Sequence, residues 1–251
     1  MPVLNPSCTP GAQVTALAEG WRLEIPPAAA GRYQLAQVDD YTSLARRAFP
    51  HRLPLRLELH ARVSAPNLPG TWGFGLWKDP FSLRLGLRGA QQRLPVLPNC
   101  AWFFHASPHN YLSLRDDLPP HGWLAGVFSA PPLPGLATAL GLPGLLWPPL
   151  ARLLRRALRA VIHEDAARLP VDPTQEHAYA LEADAQHGTR FFVDGDLVFQ
   201  THLAPRGRLG LVLWVDNQFA AFAPDGRLRF GVLPSPQAAW LSLRRVHLRA
   251  G

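Results

Sequence analysis

The sequence predicts an all-β protein, an antiparallel sandwich or barrel carrying one helical insert, and three observations predict it. The first is alternation. Leu53-Pro-Leu-Arg-Leu-Glu-Leu-His-Ala-Arg-Val63 places apolar side chains at every second position, as a strand with one buried face does. The second is punctuation by turn chemistry: Pro66-Asn-Leu-Pro-Gly70, Pro108-His-Asn110, Asp194-Gly195, Pro205-Arg-Gly207 and Pro224-Asp-Gly226 separate short apolar segments. The third is composition. At 251 residues, 47% hydrophobic, 10% aromatic and 17% charged, the chain can bury a sizeable core, which excludes disorder as its overall state. It reads as a single β-sandwich domain over 1–251.

The elements follow in order. Met1–Pro10 has neither a basic nor an apolar leader segment, and no run reaches the roughly 18 apolar residues of a membrane span. A cytoplasmic chain without a membrane helix is therefore expected. After the alternating strand, further strands are expected at Thr71–Trp77, Ala101–Ser107, Tyr111–Arg115 and Trp123–Ser129. Others are expected at Tyr179–Ala185, Thr189–Val193, Leu197–His202, Leu209–Val215, Arg227–Phe230 and Ala239–Leu248. Between them, 130–169 breaks the pattern with an apolar Pro/Gly-rich stretch running into an amphipathic helix at roughly 149–168. Leu150, Leu153, Leu154, Ala157, Leu158, Val161 and Ile162 recur at helical spacing; Pro148 and Pro149 suit its start and Pro170 its end. Cys8 and Cys100 read as two reduced thiols, Cys100 as a small core residue.

The formal charge of +7 rests almost wholly on arginine, because Lys78 is the one lysine. The arginines are scattered rather than gathered on a stripe with stacking aromatics, so no nucleic acid partner is expected. The exception is Arg152, Arg155, Arg156 and Arg159, which line one side of the expected helix. That side is either a solvated face or a contact for an anionic membrane surface.

Two stretches resemble the concanavalin A-like lectin/glucanase superfamily, in particular glycoside hydrolase family 16. One is Leu57-Glu-Leu-His-Ala-Arg-Val-Ser-Ala-Pro-Asn-Leu-Pro-Gly-Thr-Trp-Gly-Phe-Gly-Leu-Trp77; the other is His177-Ala-Tyr-Ala-Leu-Glu-Ala-Asp184 with Arg190-Phe-Phe-Val-Asp-Gly195. The resemblance covers about residues 20–249 and implies a jelly-roll sandwich of two antiparallel sheets, the helical insert lying at about 130–169. Family 16 hydrolysis uses an E-x-D-x-E or E-x-D-x-x-E strand, whose two outer carboxylates flank the glycosidic bond. The corresponding segment here is Asn99-Cys-Ala-Trp-Phe-Phe-His-Ala-Ser-Pro108, which holds no carboxylate. The resemblance thus implies a ligand-binding relative rather than a family 16 hydrolase, and β-glucan hydrolysis is the less favoured alternative.

The candidate ligand-binding residues are Trp77, Trp102, His105, His109, Asn110, Trp214, Asp216, Asn217 and Gln218. Trp214, Asp216 and Gln218 share one face of their strand, and an indole beside Asp, Asn and Gln is a set that stacks on a sugar ring and takes its hydroxyls. The competing reading makes Trp214 a core residue and His105, His109 and Asn110 parts of a hydrogen-bonded loop. A carbohydrate or an amphiphilic small molecule is the expected partner. An enzymatic alternative pairs His105 with Asp116, Asp117 or Asp216 as acid and base on a glycan or apolar substrate. The acidic pairs Asp116-Asp117 and Asp39-Asp40 otherwise read as turn residues. No dinucleotide, Walker, hydrolase-elbow or zincin motif is present, so no cofactor and no metal are expected.

Overall fold

A computed structural model of the chain describes residues 4–80, 93–133, 144 and 147–251. Along them run β1 (Asn5–Cys8), β2 (Gln13–Leu17), β3 (Gly20–Ile25), β4 (Leu35–Asp39), β5 (Leu55–Val63), β6 (Thr71–Trp77), β7 (Cys100–Ala106) and β8 (Gly122–Ser129). Then come α1 (Pro148–Val161), β9 (His163–Arg168), β10 (His177–Asp184), β11 (Gly188–Val193), β12 (Asp196–Thr201), β13 (Gly210–Asp216), β14 (Gln218–Phe222), β15 (Leu228–Val232) and β16 (Ala239–Ala250).

The strands form two seven-stranded antiparallel sheets, the jelly-roll sandwich that the resemblance implies. The first has the order β1-β4-β13-β6-β7-β8-β9, the second β12-β11-β10-β5-β16-β3-β2, and β14 pairs with β15 as a separate hairpin. Strands remote in sequence lie side by side, β4 against β13 and β5 against β16, because the chain crosses between sheets. Alternation decides what is buried: Leu55, Leu57, Leu59, Ala61 and Val63 of β5 point into the core, while Arg56, Glu58, His60 and Arg62 do not. Aromatic rings bridge the sheets, Phe103 of β7 lying 5.0 Å from Tyr179 and 5.2 Å from Phe191. Burying each such ring contributes roughly 2–3 kcal/mol.

Three expectations are corrected. Tyr111–Arg115 is a loop that touches the hairpin through a single bridge, Tyr111 to Ala221. The helix ends at Val161 rather than near 168, and His163–Arg168 is the edge strand β9 paired with β8. Its Ala-rich sequence suits a helix, but β8 offers unpaired backbone groups, and Glu164 is held buried by bonds from Ser113 Oγ (2.7 Å) and the Arg115 amide. Within the expected insert, 134–143 and 145–146 lie outside the described residues.

The third correction concerns the face that α1 presents. Ala151 and Arg155 are its buried residues, and Leu158 and Ile162 pack with Leu97, Leu114 and Phe222. Arg155 therefore leaves the exposed arginine row. Its guanidinium donates to the carbonyls of Ser113 and Phe222, both at 2.9 Å, pairs with Asp116 at 2.8 Å, and lies over the rings of Tyr111 and Phe222. Leu153, on the expected apolar stripe, is instead 61% exposed. Removing the guanidinium leaves two carbonyls without their donor, so Arg155→Ala should cost roughly 2–3 kcal/mol in denaturant unfolding. The exposed Arg152→Ala should shift stability by less than about 0.5 kcal/mol. Equal effects of the two would refute this assignment.

Candidate functional site

The outward face of the first sheet carries a continuous aromatic slab. In β6, Trp72, Phe74 and Leu76 join the core, so Thr71, Gly73, Gly75 and Trp77 face outward. Register then places Gly73 between Trp214 of β13 and Phe104 of β7, and Gly75 between Val212 and Trp102. The glycines are what let the large rings approach. A Cβ at Gly73 would run into the Phe103 carbonyl and stand 2.9 Å from Trp214 Cη2; one at Gly75 would stand 2.6 Å from Trp102 Cα. Trp214 stacks on Trp77 (6.1 Å, 8°) and on Phe104 (5.8 Å), and Trp102 stacks on Phe104 (5.0 Å). Tyr41 and Phe49, from the connection after β4, close one side of the group.

The slab is not uniformly covered. Trp214 is 6% exposed and Phe104 is buried, whereas Trp77 and Trp102 are half-buried. The Trp77 indole N–H has no acceptor among the described residues. At the end of the slab, Trp214 Nε1 donates to Thr71 Oγ1 (3.0 Å), and Thr71 Oγ1 donates to Asp216 Oδ1 (2.8 Å). Asp216 Oδ1 also accepts from the amides of Thr71 and Gln218. Burial pushes the Asp216 carboxyl up to about 7, these bonds offsetting only part of the desolvation.

The other expected site residues scatter. Asn110 and Asn217 are buried ties. Asn110 bonds Ser107 and the Ala220 amide, and Asn217 bonds the Arg32 and Leu233 carbonyls and the Gln34 amide. His109 is exposed beside Phe219, and Gln218 is exposed at the start of β14. His105 points inward, opposite to Trp102 and Phe104. It is 3% exposed and stacked on Trp72 at 5.5 Å. Burial, with the nearby His121 charge, lowers its pKa to about 4, and its Nδ1 is buried with no partner among the described residues. The structure does not bring it together with an acid: Asp116 pairs with Arg155, Asp117 with Arg115, and Asp216 with Thr71. Among the described residues no three His, Cys, Asp or Glu side chains gather as a metal would need.

Sequence reasoning passed over Thr71, Gly73, Gly75 and Phe104. The signal was present in Thr-Trp-Gly-Phe-Gly-Leu-Trp, where glycine occupies alternate positions between bulky inward residues.

No family model matches the chain, and no curated protein matches it. Among solved structures it is similar to a sialidase, at 10% identity and a TM-score of 0.47 over 98% of this chain. It spans 17% of that sialidase's length. It is also similar to a legume lectin-like domain from Entamoeba histolytica (8% identity, TM-score 0.46, 99% of this chain and 90% of that one). A third is a carbohydrate binding module from Bacillus subtilis (11%, 0.40, 95% and 92%). No residue role follows from likenesses this distant.

Proposed function

We propose that this chain is a non-hydrolytic, glucanase-like ligand-binding protein whose outward aromatic face takes a carbohydrate or a glycosylated amphiphile. The observation that carries the reading is the slab itself: Trp77 and Trp102, half-buried, adjoin stacked Trp214 and Phe104. Aromatic faces bind the apolar faces of sugar rings. Asp216 Oδ2, which makes no bond with the described residues, is left for a hydroxyl. The outward side chains of β7 are Cys100, Trp102, Phe104 and Ala106, none a carboxylate, which supports binding without family 16 hydrolysis.

Calorimetric titration against a glycan panel tests this reading. A saturable ligand should lose about tenfold or more in affinity on Trp102→Ala, with partial retention in Trp102→Phe, because stacking area is what is removed. Absence of any saturable glycan, or one indifferent to both changes, would overturn it.

A second reading rests on α1, where Trp147 (63% exposed) and Leu153 adjoin the exposed Arg152, Arg156 and Arg159. An apolar edge beside unburied cations suits an anionic bilayer surface. Co-sedimentation with phosphatidylserine vesicles should be salt-sensitive and weakened by Leu153→Glu; no sedimentation at low salt would remove it.

A further inference from the structure

A cleft of about 590 Å³ opens among the connections of the sandwich, and none of the slab's residues lines it. It lies between the connection after the 3-10 turn Arg46–Ala48, the end of β8 and the connection from β12 to β13. Arg52, His202 and Arg206 line it with Ser129 and the apolar Leu53 and Leu203, and no Asp or Glu is among its lining residues. Its volume falls in the range of small-molecule sites.

The walls are built rather than incidental. The two connections are joined by paired backbone bonds between His51 and Leu209, at 3.1 and 3.0 Å. The Arg206 amide donates to Asn99 Oδ1 (2.8 Å), and Asn99 in turn clamps both backbone groups of Ala130. Arg206 Nε donates to Ser129 Oγ at 3.2 Å, a bond that leaves the terminal nitrogens of the guanidinium for another acceptor. Holding an arginine fork in place beforehand lowers the ordering cost of binding.

The charge lining the cleft is of one sign. Elsewhere some arginines meet acids, Arg56 pairing with Glu58 and Glu182, Arg93 with Asp79 and Arg245 with Glu19, while others, such as Arg62 and Arg168, make no ion pair among the described residues. Around the cleft, Arg52, Arg206 and Arg208 make no ion pair among the described residues, and neither does Lys78, whose ammonium abuts Gly207 on the cleft rim. Burial, with the Arg46 charge, holds the Lys78 pKa below its ordinary value. Like charges around one concavity draw an anion.

We propose that this cleft binds a small molecule bearing a phosphate, sulfate or carboxylate group on a sugar-sized body. Arg206, Arg52 and His202 donate to the anionic group, and Leu53 and Leu203 meet the body. Glucose 6-phosphate, glucose 6-sulfate and glucuronate, titrated calorimetrically with glucose as the neutral control, test it. At least one of the three should saturate, with an affinity that falls as salt is raised, while glucose does not. Arg52 makes no bond among the described residues, so Arg52→Gln should keep the fold and weaken that ligand about tenfold, the effect of one charge-assisted bond. Arg206→Gln should weaken it at least as much, and Trp102→Ala should leave it unchanged, which separates this site from the aromatic face. Saturation by none of the three, equal binding of glucose, or an affinity unmoved by Arg52→Gln would overturn the assignment.

Discussion

Asp216→Asn is expected to stabilise the folded chain at pH 8 and to leave its stability nearly unchanged near pH 4. The Asp216 carboxyl is pushed up to about 7 in the fold, against an ordinary value of 3.8, because burial outweighs its hydrogen bonds from Thr71 and Gln218. Below pH 4 both the folded and unfolded chains hold the proton, and the group contributes no pH dependence. Between about 4 and 7 the unfolded chain has released it while the folded chain keeps it, so stability falls as pH rises; above 7 the loss is complete. A three-unit elevation corresponds to at most about 4 kcal/mol. Asparagine retains an oxygen for Thr71 and Gln218 without the charge. Denaturant unfolding at pH 4, 6 and 8 should show the two proteins diverging steadily with pH. Parallel profiles across that range would mean that Asp216 ionises freely in the fold.

Gly73→Val should lower stability by about 3 kcal/mol or more, and it should disturb the aromatic face before any other part of the molecule. The new side chain meets the Phe103 carbonyl and the Trp214 ring, and the carbonyl is backbone that yields only if β6 and β7 separate. Indole fluorescence should report displacement of Trp214 from its stack on Trp77. The same change at Gly195, where a Cβ meets nothing within 4 Å but φ is +91°, should cost only the local backbone strain. A Gly73→Val protein with wild-type stability and fluorescence would show that the rings do not depend on the missing Cβ.

Much of the sandwich was legible because its signals are local. β6 begins and ends at the expected residues, and β5 differs from its expected segment only at the first two positions. β4 was invisible for a physical reason: Leu-Ala-Gln-Val-Asp is buried at all five positions, so it shows no alternation. β9 was read as helix because Ala-rich sequence follows α1 without a break in pattern, and only its pairing with β8 makes it a strand. The aromatic face was legible in part. Trp77, Trp102 and Trp214 share a face, while alternation alone could not say that His105 turns to the core and that Asn110 and Asn217 are consumed by backbone ties.

By itself, then, the sequence determined the all-β class, the positions of most strands and the presence of one amphipathic helix, since period and turn chemistry are written in residues a few positions apart. The tertiary structure alone decided which rings meet, that Thr71 bonds both Trp214 and Asp216, 143 and 145 residues further along the chain, that Arg155 is buried, and that Arg52, His202 and Arg206 line one cleft. Those outcomes depend on strand register and on which side of an element finds a partner, and neither is encoded in any local stretch of sequence.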